Sequence, residues 1–145
     1  GIIDSNIYND GTGASVLTGG RRFSDSRSTD MFIHMDGQEV FKFAVKSVPT
    51  AIETLLHNNN MNVDDVDKFI LHQANVRIIE SVAKRLKADK DKFPVNLNEY
   101  GNTSSASIPI LLDELNRNGS LKQGEKLILA GFGAGLSWGS ILLVW

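Results

Sequence analysis

The stretch Lys68-Phe69-Ile70-Leu71-His72-Gln73-Ala74-Asn75 leaves this chain few choices of fold. Phe69 to Leu71 form an apolar run of strand length that stops abruptly on a histidine. From Asn75 onward the period changes. Ile79, Val82, Ala83 and Leu86 recur at i, i+3, i+4 and i+7, the spacing of a helix with one buried face. A strand that feeds a helix is half of a βαβ unit, which predicts an α/β architecture. In open α/β sheets ligands bind beyond the carboxyl ends of the strands. His72 therefore stands where a site is expected, close to a helix N-terminus. The positive end of the helix dipole disfavours an imidazolium there, and a neutral imidazole can donate a hydrogen bond to a substrate oxygen. The alternative is a histidine that ends a buried strand and bonds only to backbone; taken alone, this stretch leaves both open.

The remaining segments show the same two periods. Ile2 to Tyr8 reads as an opening strand, closed by Asn9-Asp10-Gly11. Residues 9 to about 35 contain Gly11, Gly13, Gly19, Gly20 and a polar tract, Arg21 to Asp30, without clear periodicity. So long a segment is unusual inside a compact domain. It covers a functional surface, packs on something outside this chain, or is a disordered surface loop. Asp36-Gly37-Gln38-Glu39 has the form of a capping box, with Asp36 as N-cap and Glu39 at N3. Behind it Val40, Phe41, Ala44, Val45, Val48, Ala51, Ile52, Leu55 and Leu56 keep one helical face apolar. Pro49 predicts a kink in that helix, and Asn58-Asn59-Asn60 its end.

On the helix after His72, Arg77 and Lys84 share a face, with Arg85 beside them. They are a solvated surface or a docking patch for an acidic partner. Phe93-Pro94-Val95-Asn96-Leu97 reads as a short strand. It runs into Glu99-Tyr100-Gly101-Asn102-Thr103-Ser104-Ser105-Ala106-Ser107, a glycine turn and an asparagine followed by small hydroxyl residues. Ser105 is predicted to cap a helix with Pro109 in its first turn. Ile108, Leu111, Leu112 and Leu115 form that helix's core face. Ala106, Pro109 and Ile110 make its first turns apolar on the other sides, which predicts burial on both sides. Asn102 taken alone reads as a turn residue with φ > 0. Gly119 and Gly124 bracket a loop, and Lys126 to Ala130 and Trp138 to Trp145 are the last two strands. The glycines of Gly131-Phe132-Gly133-Ala134-Gly135-Leu136-Ser137 would suggest a dinucleotide loop only if a helix came next. The next residues, Ser140-Ile141-Leu142-Leu143-Val144, are of β type. These glycines therefore make a tight strand connection whose backbone can approach a ligand closely.

Composition narrows the function classes. With 145 residues, 41% apolar and 22% charged, the chain has the make-up of one globular domain. A net charge of −2 gives no reason to expect nucleic acid or an anionic membrane as partner. No apolar run approaches the roughly 20 residues that span a bilayer, and the start lacks the pattern of a signal peptide. The absence of cysteine excludes a disulfide, a thiolate metal site and a cysteine nucleophile within this chain. The expectation is a cytoplasmic domain that uses no metal or cofactor.

LHQANVRII, EYGNTSSASIP and GFGAGLSWGSILLVW, in this order and spacing, resemble the C-terminal half of the β-ketoacyl-[acyl carrier protein] synthase III family, and MDGQEVFKFAV matches just upstream. The resemblance spans residues 1–145 and is weakest over residues 9 to 35. It implies one half of the pseudo-symmetric thiolase fold: a five-stranded mixed sheet with one strand antiparallel to the others and helices on both faces. It also implies that His72 and Asn102 belong to a Cys-His-Asn triad whose cysteine lies on an N-terminal half not present in this chain. The implied reaction is decarboxylative condensation of an acyl-CoA, typically acetyl-CoA, with malonyl-[acyl carrier protein]. By the same resemblance Asn75 and Phe132 line the pantetheine channel and active site, and Gly37 lies near its entrance. Lys42, Arg77, Lys84 and Arg85 fall on the surface that receives the acyl carrier protein. A homodimer is expected. A related thiolase-fold acyltransferase of secondary metabolism and a non-catalytic acyl carrier or CoA-binding module are the alternatives.

Overall fold

The computed structural model describes residues 1–19 and 32–145; the polar tract Arg21 to Asp30 and Gly20 lie outside the described residues. β1 (Ile2–Asn9), β2 (Leu17–Gly19) and β3 (Ile33–Met35) precede α1 (Gly37–Asn58). Then come β4 (Lys68–Leu71), α2 (Val76–Leu86), the one-turn α3 (Leu97–Tyr100), α4 (Ser107–Arg117), β5 (Lys126–Gly133) and β6 (Ser137–Val144). The main sheet has the order β1-β6-β5-β4. β4 and β5 are parallel, and β6 runs antiparallel to both of its neighbours. β2 and β3 form a separate antiparallel ribbon within the segment that sequence periodicity could not assign.

Strand alternation divides the core into two layers. Phe69 and Leu71 of β4, Ile128 and Ala130 of β5 and Leu142 of β6 face one way, against Ala44, Val48, Ile52 and Leu55 of α1 and Ile79 and Val82 of α2. Ile70 and Leu127 face the other way, against Leu111 and Leu115 of α4. Successive residues of a strand point to opposite faces, so each strand serves both layers and the helices cover both faces. Asn6 ties the edge strand into this frame. Its Nδ2 donates to Ala51 O at 2.8 Å, and its Oδ1 accepts from Ser140 N at 3.0 Å and Ser140 Oγ at 2.7 Å. Opposite Ile7, Gly139 is obligatory, because a Cβ there would stand 2.5 Å from Asn6 O.

The α/β class and the single antiparallel strand hold, but the main sheet has four described strands, not five. Residues 93–97 are the difference. Phe93 is buried and stacks on Phe69, rings 4.6 Å apart and 5° from parallel. The backbone N–H of Asn96 donates to the Gln73 side chain at 3.3 Å, and Leu97 opens α3. A segment that spends its donors on side chains and turns cannot join a ladder.

Helix ends mostly follow the sequence. Asp36 Oδ1 accepts from Gln38 N at 3.0 Å and Glu39 N at 3.1 Å, which caps α1. Glu39 pairs instead with Lys42 at 2.6 Å, so the reciprocal arm of the expected box is not what it contributes. α1 continues through Pro49. Proline lacks the N–H that would bond to the carbonyl four residues earlier; Arg85 Nη1 reaches that carbonyl, Val45 O, at 3.5 Å. The positive φ of 53° falls on Asn60, after the helix. α4 differs from expectation. A short 3-10 turn, Ser104–Ala106, precedes it, and Ser105 provides no cap; Pro109 does lie in the first turn. Nor is α4 buried all round: Leu111 and Leu115 are covered, whereas Ala106 and Pro109 are exposed.

Candidate active site

β4 ends at Leu71, but its ladder runs one residue further, since His72 N donates to Ala130 O at 2.8 Å. The His72 ring is thereby held at the carboxyl end of a parallel strand pair. It lines a cleft of about 270 Å³ with Ser104, Ser105, Ser107, Ile108, Gly131, Phe132 and Gly133. Phe132 meets it edge-on, ring centres 5.4 Å apart. Behind Phe132 stand Phe43 at 6.3 Å and, beyond that ring, Trp138 at 5.3 Å. Burial pushes the His72 pKa below its ordinary value, because little water is left to solvate an imidazolium. Desolvation thus favours the neutral ring, in the same direction as the helix dipole considered from the sequence.

On its Nδ1 side, His72 meets Ser107 Oγ at 2.6 Å, and the same oxygen accepts from Gln73 N at 3.2 Å. Gln73 is fully buried. Its Nε2 donates to Leu71 O at 2.8 Å while its Oε1 accepts from Asn96 N at 3.3 Å. Asn96 in turn donates to Glu114 Oε2 at 2.8 Å. One continuous set of hydrogen bonds therefore joins the loop after β4, the segment leading to α3, and α4. Sequence reasoning missed Ser107, Gln73, Phe43 and Trp138. The hydroxyl-rich run after Asn102 was the available signal for Ser107, but periodicity does not say which hydroxyl turns inward.

Asn102 follows Gly101, whose φ of 66° carries the turn, so the positive φ considered for Asn102 falls on its neighbour. Ser104 also has positive φ, at 56°. Asn102 Oδ1 accepts from Ser104 N at 2.9 Å. Among the described residues this leaves its NH₂ as the group free for a ligand. Asn102 is exposed, two residues before the first serine of the cleft wall; it is not itself a lining residue.

Of the other expected positions, Phe132 is in the cleft, and Gly37 and Asn75 are not. Gly37 is the exposed first residue of α1, and a Cβ there would meet only the Met35 side chain, at 4.0 Å. Asn75 caps α2, its Oδ1 accepting from Arg77 N at 2.9 Å. Lys42, Arg77, Lys84 and Arg85 are exposed on the packed pair α1 and α2. Arg77 lies 6.0 Å from the Phe41 ring centre, and Lys42 is paired with Glu39. Among the described residues no group of acidic, histidine or cysteine side chains could hold a metal ion.

The glycine segment after Phe132 is the β5–β6 hairpin, with Gly133 opposite Ser137 and no helix behind it, as the β-type residues after it require.

Comparison with known proteins agrees with this geometry. A β-ketoacyl-[acyl-carrier-protein] synthase III from Clostridium acetobutylicum is 44% identical over 151 aligned positions, covering 100% of this chain and 46% of the relative. The crystal structure of 3-oxoacyl-[acyl-carrier-protein] synthase III from Aquifex aeolicus superposes with a TM-score of 0.91 at 36% identity, over 99% of this chain and 44% of that one. The priming β-ketosynthase of a polyketide biosynthetic pathway matches with a TM-score of 0.87 at 35% identity, over 99% of this chain and 45% of its own. The chain spans about half the length of the curated relatives it matches. Residues 56–145 match the family model described as 3-oxoacyl-[acyl-carrier-protein (ACP)] synthase III C terminal. With that match over more than half of its length, and a fold shared with the solved relatives, the chain belongs to the 3-oxoacyl-[acyl-carrier-protein] synthase III C-terminal family.

Proposed function

We propose that this chain is the C-terminal half of a condensing enzyme that initiates fatty acid synthesis in the cytoplasm, and that it works with an N-terminal half bearing the nucleophilic cysteine. The observation that carries the proposal is His72, a desolvated imidazole at a strand end in a cleft walled by Phe132 and serine hydroxyls.

In the proposed cycle the cysteine thiolate attacks an acyl-CoA, typically acetyl-CoA, and expels CoA. Malonyl-[acyl carrier protein] then loses CO₂, and the bonding pair left behind becomes an enolate on its thioester. The enolate carbon attacks the acyl carbonyl; the resulting oxyanion collapses and returns the cysteine as thiolate. His72 and Asn102 supply two neutral N–H donors to the malonyl thioester oxygen as negative charge develops on it. Removing one such donor typically raises the barrier by about 3–4 kcal/mol. Neutral donors suit this task because a cation there would hold the malonyl carboxylate as readily as the thioester oxygen. Phe132 forms an apolar wall against which the malonyl carboxylate loses its hydration, which favours its departure as neutral CO₂. Gly37 and Asn75 contact the pantetheine arm, and Lys42, Arg77, Lys84 and Arg85 receive the acidic carrier protein. Arg85 also serves the Val45 carbonyl, so its share in docking is smaller than that of Arg77 and Lys84.

A second reading rests on the likeness to the polyketide priming ketosynthase, at 35% identity. It keeps the same condensation and changes the acyl primer and the product's destination. The acyl chains accepted by the enzyme containing this chain distinguish the two.

The proposal is tested by His72→Ala and Asn102→Ala in the enzyme that contains this chain together with its cysteine. Both are expected to leave acylation by radiolabelled acetyl-CoA intact and to lower condensation on the order of a hundredfold or more. If His72→Ala abolished acylation as completely as condensation, the roles assigned here would be wrong. The 145-residue chain alone has no thiol and should form no thioester with acetyl-CoA by intact-mass spectrometry.

A further inference from the structure

His72 and Ser107 are 35 residues apart in sequence and 2.6 Å apart between Nδ1 and Oγ. A neutral imidazole carries its proton on one ring nitrogen only, and which one depends on what the other nitrogen faces. Ser107 is 2% exposed, so bulk water does not compete for its hydroxyl. Its oxygen already accepts a hydrogen bond from the backbone N–H of Gln73. That N–H has only donor character, which orients one lone pair of Oγ toward it. The hydroxyl proton still needs an acceptor, and among the described residues the nitrogen of His72 is the one it is given. If Nδ1 carried the proton, Oγ would have to accept twice and the buried O–H would be left without a partner.

We propose that Ser107 is a positioning residue that holds His72 in the Nε2–H tautomer, so that the ring presents a hydrogen-bond donor, not an acceptor, to whatever binds in the cleft. Gln73 supports the arrangement twice: its N–H orients the serine oxygen, and its side chain anchors the loop to Leu71 and Asn96. The chemistry selected is recognition of an oxygen that gains negative charge, such as a thioester carbonyl becoming an enolate. The catalytic side of this inference rests on the function proposed above; the tautomer itself does not.

Nitrogen-15 NMR of the 145-residue chain tests the tautomer directly. Its three histidines, His34, His57 and His72, are assigned by single substitution of the other two. The wild-type chain is expected to show Nε2 of His72 as the protonated nitrogen and Nδ1 as the bare one. In Ser107→Ala the Nε2–H form should fall to a mixture of both tautomers, and Ser107→Thr should restore it. A wild-type signal with the proton on Nδ1 overturns the proposal, as does an Nε2–H population unchanged in Ser107→Ala. If Ser107→Ala fails to fold, the wild-type spectrum and Ser107→Cys, a far weaker donor, decide the question in the same way.

In the enzyme containing this chain, Ser107→Ala should reduce condensation about tenfold to a hundredfold while sparing acylation, less than the loss of the donor itself. A tautomer shift with unchanged condensation would leave Ser107's effect on His72 standing and refute the oxyanion role of His72. An unchanged tautomer with reduced condensation would do the reverse.

Discussion

Replacing Gln73 by methionine should cost this chain far more stability than its volume suggests. The two side chains are similar in length, and Gln73 is fully buried, so a cavity contributes little. What changes is hydrogen bonding. Gln73→Met removes the donor to Leu71 O at 2.8 Å and the acceptor for Asn96 N at 3.3 Å. Asn96 is itself 4% exposed, so water cannot readily replace the lost acceptor. A buried backbone group left unpaired costs about 1–3 kcal/mol. The Asn96 bond is the longer of the two and belongs at the lower end of that range. The sum is about 2–4 kcal/mol, a large share of a typical total of roughly 5–15 kcal/mol. Equilibrium unfolding in urea, followed by circular dichroism, measures it as a drop in midpoint with little change in slope. A loss below about 1 kcal/mol would refute the reasoning, since it would mean that the loop relaxes enough to pair both backbone groups elsewhere. Gln73→Glu makes a useful companion. It keeps an acceptor for Asn96 N but brings a buried carboxylate against Leu71 O, and should be at least as damaging as methionine.

Three further outcomes are expected. Arg77→Glu together with Lys84→Glu, in the enzyme containing this chain, should raise KM for malonyl-[acyl carrier protein] several-fold with little effect on acetyl-CoA, and the wild-type advantage should fade as salt rises; equal loss for both substrates at every ionic strength would point to misfolding instead. Because the folded-state pKa of His72 is lowered, unfolded chains bind more protons than folded ones once the pH drops below the ordinary imidazole value near 6.5. The chain should lose stability as the pH falls from there toward the folded pKa, and His72→Gln should remove that part of the pH dependence in thermal melts. Finally, the face of the sheet beside α4 leaves a cleft of about 410 Å³ lined by Ile7, Ile108, Pro109, Leu129 and Ile141, with Ile7 78% exposed; the chain alone should self-associate through it, Ile7→Asp should weaken the association, and light scattering that finds a monomer at high concentration would refute the claim.

Sequence alone made this chain legible wherever a structure depends on near neighbours. Alternation and helical spacing located β1, β4, β5, β6, α1, α2 and most of α4, and Asp36 announced the start of α1 through a cap formed within three residues. His72 was legible as a candidate because a polar residue ending an apolar strand stands out, whereas Phe132 entered only through the family resemblance. Only the tertiary structure decided the remainder. Residues 93–97 have strand-like composition, yet a strand exists only when another strand accepts its hydrogen bonds, and here Phe93 is taken by Phe69 and Asn96 by Gln73. Arg85 reads as surface charge until Pro49, on another helix, leaves the Val45 carbonyl for it to reach. Ser107 is one hydroxyl among several in sequence, and it becomes the partner of His72 because α4 packs on β4 and brings its first residue to the end of that strand. Periodicity records what a residue does within a few positions of itself. The proton on an imidazole is set by a group 35 residues away, and that distance in sequence is closed only by packing.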